Sequence, residues 1–474
     1  MDHPRYQVAA CHNAAVQKLW TIGIFVVLAS LDNAAIMMIP SMILPISADL
    51  GVSEAALGGL TAAVILVTAV TAGLWGYLGD RTGRKNLLFW GTIIWVVGVF
   101  GAASSGTYGA LFAAMVGAAI GFGSITSVGF SVVSDFVPPH RRGVALSFWG
   151  LSQGAGGLLG GLAASQLGAN DWRRPLWIIA ATGFGFAVLF LTSQDPARGQ
   201  ADPELVGRAH ELEEKIQLDQ LPELIRRRSN VWLISKGLVA QLAYGSLLWV
   251  PLLYQTKIVE LGYSIETATR AGGLYFSFLQ LAAISSIAAG WLGDRWQARR
   301  LSGRARLSMI GILGAVPFFI AFFAAPLSNL PITDGGSSSQ VTGEVLASFV
   351  TNRSVMLAFV LAFAAVVLTS IDSPNAFALI VDVNLPEHRG TVFGLVTLAE
   401  GVTRSAGNGL VGWLTATVIT STASSRSYAI ALAGFQLFFL PTGYCYWRLT
   451  RTSPADIEDV RRALRERAAT LIDP

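Results

Sequence analysis

Uncharged stretches of about twenty residues recur along this chain, and nothing else in it constrains the fold as strongly. "LTAAVILVTAVTAGLW" (60–75) and "NLLFWGTIIWVVGVFGA" (86–102) are two of them. An α-helix of about 20 residues is about 30 Å long, which matches the hydrocarbon core of a bilayer. In hydrocarbon a backbone must satisfy its own N–H and C=O groups, so each stretch reads as a spanning helix. Composition agrees: of 474 residues 53% are hydrophobic and 13% charged, where soluble domains carry about 25% charge.

The stretches predict an all-α integral membrane protein with twelve transmembrane helices. They lie near 18–44, 54–79, 87–105, 108–134, 144–167, 176–193, 231–254, 267–293, 305–325, 355–381, 391–419 and 427–447. About 25 of the 33 Lys and Arg residues fall on one set of alternate loops and about six on the other. By the positive-inside rule both termini are then cytoplasmic, in a multi-pass protein of the cell membrane. The net charge of +4 is spread through short loops and does not point to nucleic acid. Two cysteines, Cys11 and Cys445, stand at opposite ends of the chain, which excludes a disulfide framework or a cysteine metal site. All five histidines lie in termini or loops with no nucleophile constellation near them. Neither an enzyme nor a cofactor is expected; protons are the candidate coupling ion.

Two charged knots interrupt the apolar chain. "GYLGDRTGRK" (76–85) follows the second span and "GWLGDRWQAR" (290–299) the eighth. A second pair, "SDFVPPHRRG" (134–143) and "VDVNLPEHRG" (381–390), follows the fourth and tenth. The chain is therefore read as two six-helix pseudo-repeats. Its expected parts are an N-terminal bundle 1–193, a cytoplasmic linker 194–230 with an amphipathic helix, a C-terminal bundle 231–447, and an amphipathic tail 448–474. In the tail, Ser453 is placed to cap a helix opening at Pro454. Its bases suit an anionic lipid surface.

These motifs resemble the loop signature of the major facilitator superfamily, and the likeness covers essentially the whole chain. The resemblance implies two bundles rocking around a central site. It also implies a gating charge cluster: Gly76, Asp80, Arg81, Arg84, Asp135 and Arg142 in the first half, and Asp294, Arg295, Asp382 and Arg389 in the second. "LASLDNAAIMMIPSMILPISADLGVSEAALG", "VPPHRRGVALSFWG" and "GSLLWVPLLY" look like Spinster-type lipid transporters within that superfamily. Asp32 matches that group's acidic residue in the first helix. Asn33 stands where the group favours Arg, Ser124 where it has Glu, and Gly117 where it has Arg.

Ionisable groups inside spans are costly and mark function. Asp32 is such a group, open either to proton exchange, to holding a cationic headgroup, or to bonding a helix broken near Pro40. Glu400 and Arg404, four apart and hence on one face, either neutralise each other or leave Arg404 to a substrate phosphate or carboxylate. Asp372, just before Pro374, is a kink partner or a cavity group. Lys236, Gln241 and Tyr244 form a polar track, in which Lys236 can snorkel to the surface. Tyr244, Trp249, Tyr254 and Tyr275 are interfacial or binding aromatics. "GLSQGAGGLLGG" (150–161) approximates an antiporter-associated glycine motif and equally suits close helix packing. Few polar groups among apolar helices favour a monomeric transporter of an amphiphilic solute, such as a lysophospholipid. The alternatives are a proton-driven drug or metabolite exporter and, further off, a membrane sensor.

Overall fold

The computed structural model describes residues 3–129, 142–193, 221–417 and 424–472. Every regular element among them is helical. We number them α1 (His3–Ser41), α2 (Ile43–Leu50), α3 (Glu54–Arg81), α4 (Arg84–Ala103), α5 (Tyr108–Ser124), α6 (Arg142–Leu167) and α7 (Arg173–Phe190). The second half continues with α8 (Leu221–Arg226), α9 (Arg228–Ser246), α10 (Val250–Glu260), α11 (Ile265–Leu279), α12 (Ser285–Arg299) and α13 (Gly303–Ala324). It closes with α14 (Ser338–Thr351), α15 (Arg353–Thr369), α16 (Asp372–Val383), α17 (Pro386–Thr417), α18 (Ser425–Gln436) and α19 (Phe439–Ile472). Nine helical stretches among the described residues are long and apolar enough to cross a membrane, from Gly23–Ser41 to Ser425–Glu466. The shorter α5, the glycine-rich α6 and the charge-bearing α17 supply the other three legs of the twelve.

The chain packs as two units. One holds residues 1–52 and 63–213; the other holds 53–62 and 214–474. The first turns of α3 thus belong with the second unit. There Asn408 Nδ2 donates to the Gly58 carbonyl at 2.9 Å, Ser405 Oγ to that of Ala62 at 2.7 Å, and the Tyr428 hydroxyl to Glu54. The expected linker helix, residues 205–216, lies outside the described residues.

In the first unit, Ile24, Phe25, Leu28, Leu88, Ile125, Val128 and Phe190 form a buried cluster, with Phe25 edge-on to Phe190 at 5.2 Å. Small residues set the helix spacing. A Cβ at Gly156 or Gly160 would overlap the carbonyls of Ser30 and Ala34, so the glycine run of α6 is a packing surface for α1. Beyond the span, Asp49 accepts from the Trp172 indole at 3.0 Å and from Arg173 at 2.8 Å. These bonds hold its carboxyl below the usual range.

The second unit differs from expectation at its end. Ser453 does not open a new helix: α19 runs unbroken from Phe439 to Ile472 with Pro454 inside it. An interior proline costs about 3 kcal/mol. Here Leu449, Ser453, Ile457 and Val460 make one continuous buried stripe, and tertiary burial wins. The first turns of the tail's apolar face, to Val460, are therefore spent on the protein itself, while Leu464 is exposed. Asp456 anchors it, accepting from the Ser229 N–H at the start of α9 at 3.0 Å and pairing with Arg227 at 3.5 Å. In the loop before α14, Asp334 accepts from the Ser264 hydroxyl at 2.6 Å and the Ser264 N–H at 3.0 Å. Those bonds, with help from Thr267 and Gly335, bring its carboxyl down to about 2.

Candidate functional site

The second unit buries a charge cluster whose members are far apart in sequence. Glycines let α9 and α17 touch: a Cβ on Gly237 would lie 2.9 Å from Glu400 Cγ, and one on Gly245 would overlap the Arg404 carbonyl. This contact brings Lys236 Nζ to 3.2 Å from Glu400 Oε1. On its other side Lys236 lies 3.5 Å from Asp372 Oδ2. The remaining Asp372 oxygen accepts from the Tyr446 hydroxyl. The three charged side chains are 4%, 15% and 6% exposed. Lys236 therefore does not snorkel. Two carboxylates in the membrane interior hold it more favourably than an extended route to water. Asp372 serves Lys236 and Tyr446 rather than the backbone at a kink.

Glu400 is hydrogen-bonded to Lys236 and acts on Arg404, its expected partner, through its charge without a direct contact. One turn away on the same face, Arg404 has a buried Nε with no hydrogen-bond partner. Among the described residues no ion pair or side-chain hydrogen bond engages its guanidinium. Gln241 also has a buried, unpartnered Oε1. Tyr244 donates to the Thr369 carbonyl at 3.4 Å and meets the Phe439 ring at 5.1 Å. A guanidinium that no hydrogen bond or close ion pair holds among the described residues can take an anion's oxygens without breaking a hydrogen bond.

In the first unit Asp32 is 2% exposed and its Oδ1 has no partner. The break in α1 comes at Met42, and the backbone there bonds to itself, Met42 N–H to the Ile39 carbonyl at 3.0 Å. Asp32 has no part in it. Asn33 Nδ2 donates to the Ala29 carbonyl at 2.9 Å. Ser124 is fully buried and donates to the Gly121 carbonyl at 2.8 Å, with its side chain against Gly91 of α4. That is a packing position between α4 and α5.

Of the first charge knot, the side chains of Asp80, Arg81 and Arg142, and all of Asp135, lie outside the described residues. Arg84 is buried at the start of α4. Lys85 donates to the Leu191 and Ser193 carbonyls at 2.6 and 2.7 Å, closing the end of α7 as cations near helix C-termini do. In the second knot, Asp294 and Asp382 share one partner that the motif did not single out. Arg304, at the start of α13, reaches Asp294 at 2.6 Å and Asp382 at 3.3 Å. Arg295 instead lies over the Trp291 ring at 5.4 Å, and Arg389 donates to the Val381 and Asn384 carbonyls at 3.1 and 3.3 Å. The second glycine of each motif makes the close approach. A Cβ on Gly79 would lie 3.0 Å from Val128, and one on Gly293 would overlap Asn375 Oδ1, whereas Gly76 has 3.8 Å to Ser127.

Trp249, Tyr254 and Tyr275 are buried. Trp249 donates to the Asn408 carbonyl at 2.9 Å and stacks on Tyr428, and Tyr254 stacks on Tyr275. Sequence reasoning missed Tyr446, which carries no charge to mark it within the last span. It also missed the reciprocal Asn230–Asn384 amide pair, bonded at 2.8 and 2.9 Å; the only signal was an Asn in each repeat-flanking loop.

Comparison with known proteins accords with this geometry. The profile of the Major Facilitator Superfamily matches residues 22–338. The sphingosine-1-phosphate transporter SPNS2 of Xenopus tropicalis is 23% identical over 419 residues, covering 85% of this chain and 75% of that protein. The uncharacterised MFS-type transporter Rv1250 of Mycobacterium tuberculosis is 34% identical over 149 residues, 31% of this chain and only 25% of that protein's length. A bacterial homologue of the human lysosomal transporter Spinster superposes with a TM-score of 0.71 at 18% identity, covering 93% of this chain and 98% of that one. With twelve helical legs, two packed units and a family profile spanning most of the first and part of the second, the chain is a membrane transporter belonging to the Major Facilitator Superfamily.

Proposed function

We propose that this transporter moves an amphiphilic anion, a lysophospholipid or related single-chain lipid, with Arg404 receiving the phosphate or carboxylate of the headgroup. The observation that carries this reading is the buried Arg404 Nε without a partner, one turn from a Glu400 already committed to Lys236. Guanidinium suits phosphate and carboxylate because its N–H groups form a matching fork. Asp32, buried with an unpartnered oxygen, is the group we assign to proton exchange. The sphingosine-1-phosphate transporters among its relatives carry by name a phosphate-headed amphiphile, which supports the reading.

The test is uptake of labelled lysophosphatidylglycerol into proteoliposomes, with and without an imposed pH gradient. Arg404→Gln is expected to lower kcat/KM at least about tenfold, the scale of one lost charge-assisted hydrogen bond. Asp32→Asn is expected to remove the dependence on the gradient while leaving exchange. Gradient-driven movement of small organic anions with none of lysolipid would assign the chain to metabolite or drug export. Lysolipid uptake unchanged in Arg404→Gln would remove Arg404 from the site.

A further inference from the structure

At the start of α9 a cavity of about 410 Å³ opens against α19, lined by Arg226, Arg228, Val231, Trp232, Arg448 and Thr452. Its charge is one-sided: three guanidiniums and no carboxylate. Asp456, which faces the start of α9, is already taken by Arg227 and the Ser229 N–H. Arg448 Nε is buried without a hydrogen-bond partner, and its guanidinium lies over the Trp232 ring at 4.9 Å. Neither Arg226 nor Arg228 has an ion pair among the described residues. Three like charges drawn around one cavity repel one another, and a bound anion relieves that repulsion.

An apolar track leads away from the basic end. Leu440, Tyr444 and Trp447 recur at helical spacing on α19 and are 50%, 50% and 36% exposed; Val231 and Leu238 do the same on α9. Tyr444 bridges the helices, its ring 5.8 Å from that of Trp232 and 5.5 Å from that of Trp447. Arg451 covers Trp447 at 3.8 Å. In a spanning chain an exposed apolar stripe faces acyl chains, and an aromatic and arginine belt marks the headgroup level. A free phosphate would use the basic end alone, whereas a phospholipid would use both.

We propose that this cavity binds the phosphate headgroup of an anionic phospholipid of the surrounding bilayer, with its acyl chains along the Leu440–Tyr444–Trp447 stripe. The site shares no residue with the buried triad and does not depend on which solute is transported. Full-length protein in neutral detergent is titrated with phosphatidylglycerol, phosphatidylcholine or inorganic phosphate, and bound lipid is followed by native mass spectrometry. The triple variant Arg226→Gln/Arg228→Gln/Arg448→Gln is expected to bind phosphatidylglycerol at least about tenfold more weakly. A charge-matched control, Arg461→Gln/Arg462→Gln/Arg465→Gln, is expected to change binding less than about twofold, since surface charges away from the site contribute little. Equal weakening in both triples would overturn the site in favour of diffuse charge, and competition by millimolar phosphate would overturn the lipid in favour of a free anion. Should the cavity triple fail to fold, tryptophan quenching by brominated phosphatidylglycerol decides. Wild type should lose a component that Trp232→Phe lacks and that brominated phosphatidylcholine leaves intact; identical quenching in both proteins would refute the proposal.

Discussion

Replacing Lys236 by Met tests whether the buried triad is held together by charge. Met keeps the apolar stem's bulk and deletes the ammonium, leaving Asp372 and Glu400 facing each other's field with side chains only 6% and 15% exposed. Removing one partner from a buried ion pair costs about 3–5 kcal/mol, because the charge left behind stays desolvated. For a unit of this size each kcal/mol moves the melting temperature by about 2–4 °C. The variant should therefore melt roughly 6–20 °C below wild type in detergent, followed by intrinsic fluorescence. Adding Asp372→Asn and Glu400→Gln removes the orphaned charges and should recover most of the loss, since neutral replacements of a whole buried cluster are tolerated. A Lys236→Met melting point within about 2 °C of wild type, or no recovery in the triple variant, would refute the reasoning. The first result would mean that water reaches these carboxylates, the second that the loss comes from packing rather than charge.

Two further predictions rest on separate features. Gly293→Ala should destabilise by about 1–3 kcal/mol, the cost of overpacking, because its Cβ meets Asn375, which is 1% exposed and holds the Ile371 carbonyl at 2.9 Å. Gly76→Ala, with 3.8 Å to its neighbour, should be neutral in the same thermal assay, and equal effects would discount the close approach. The Asp334 clamp should be pH-sensitive: its folded carboxyl titrates at about 2 against an ordinary 3.8, so its stabilisation is present above 3.8 and is lost as pH falls toward 2. Hydrogen exchange at Ser264 and Gly335, corrected for intrinsic rate, should lose protection over that interval in wild type and stay flat in Asp334→Asn; matching profiles would exclude Asp334 as the cause.

The membrane architecture was legible because hydropathy is a local property. Most spans, "LTAAVILVTAVTAGLW" among them, declare themselves within their own twenty residues, and helix is the only element such a stretch can form alone in hydrocarbon. The repeat was legible for a similar reason, since "GYLGDR" and "GWLGDR" carry the same turn in each half. The candidate site was legible as a set of costly groups, Asp32, Lys236, Asp372, Glu400 and Arg404, but not as a set of pairs. Sequence spacing favoured Glu400 with Arg404, a neighbour one turn away; the fold gave Glu400 to Lys236 across 164 positions.

Composition, periodicity and charge thus determined by themselves that this chain spans the membrane as helices, and which ionisable groups fall inside the spans. Only the tertiary structure decided which of those groups meet. Bare glycines at 237 and 245 let α9 lie against α17, which sets Lys236 against Glu400, while α16 brings Asp372 to its other side. Transfer into lipid adds up residue by residue along one segment, whereas a buried ion pair depends on the distance between two segments, and no single stretch of sequence encodes a distance.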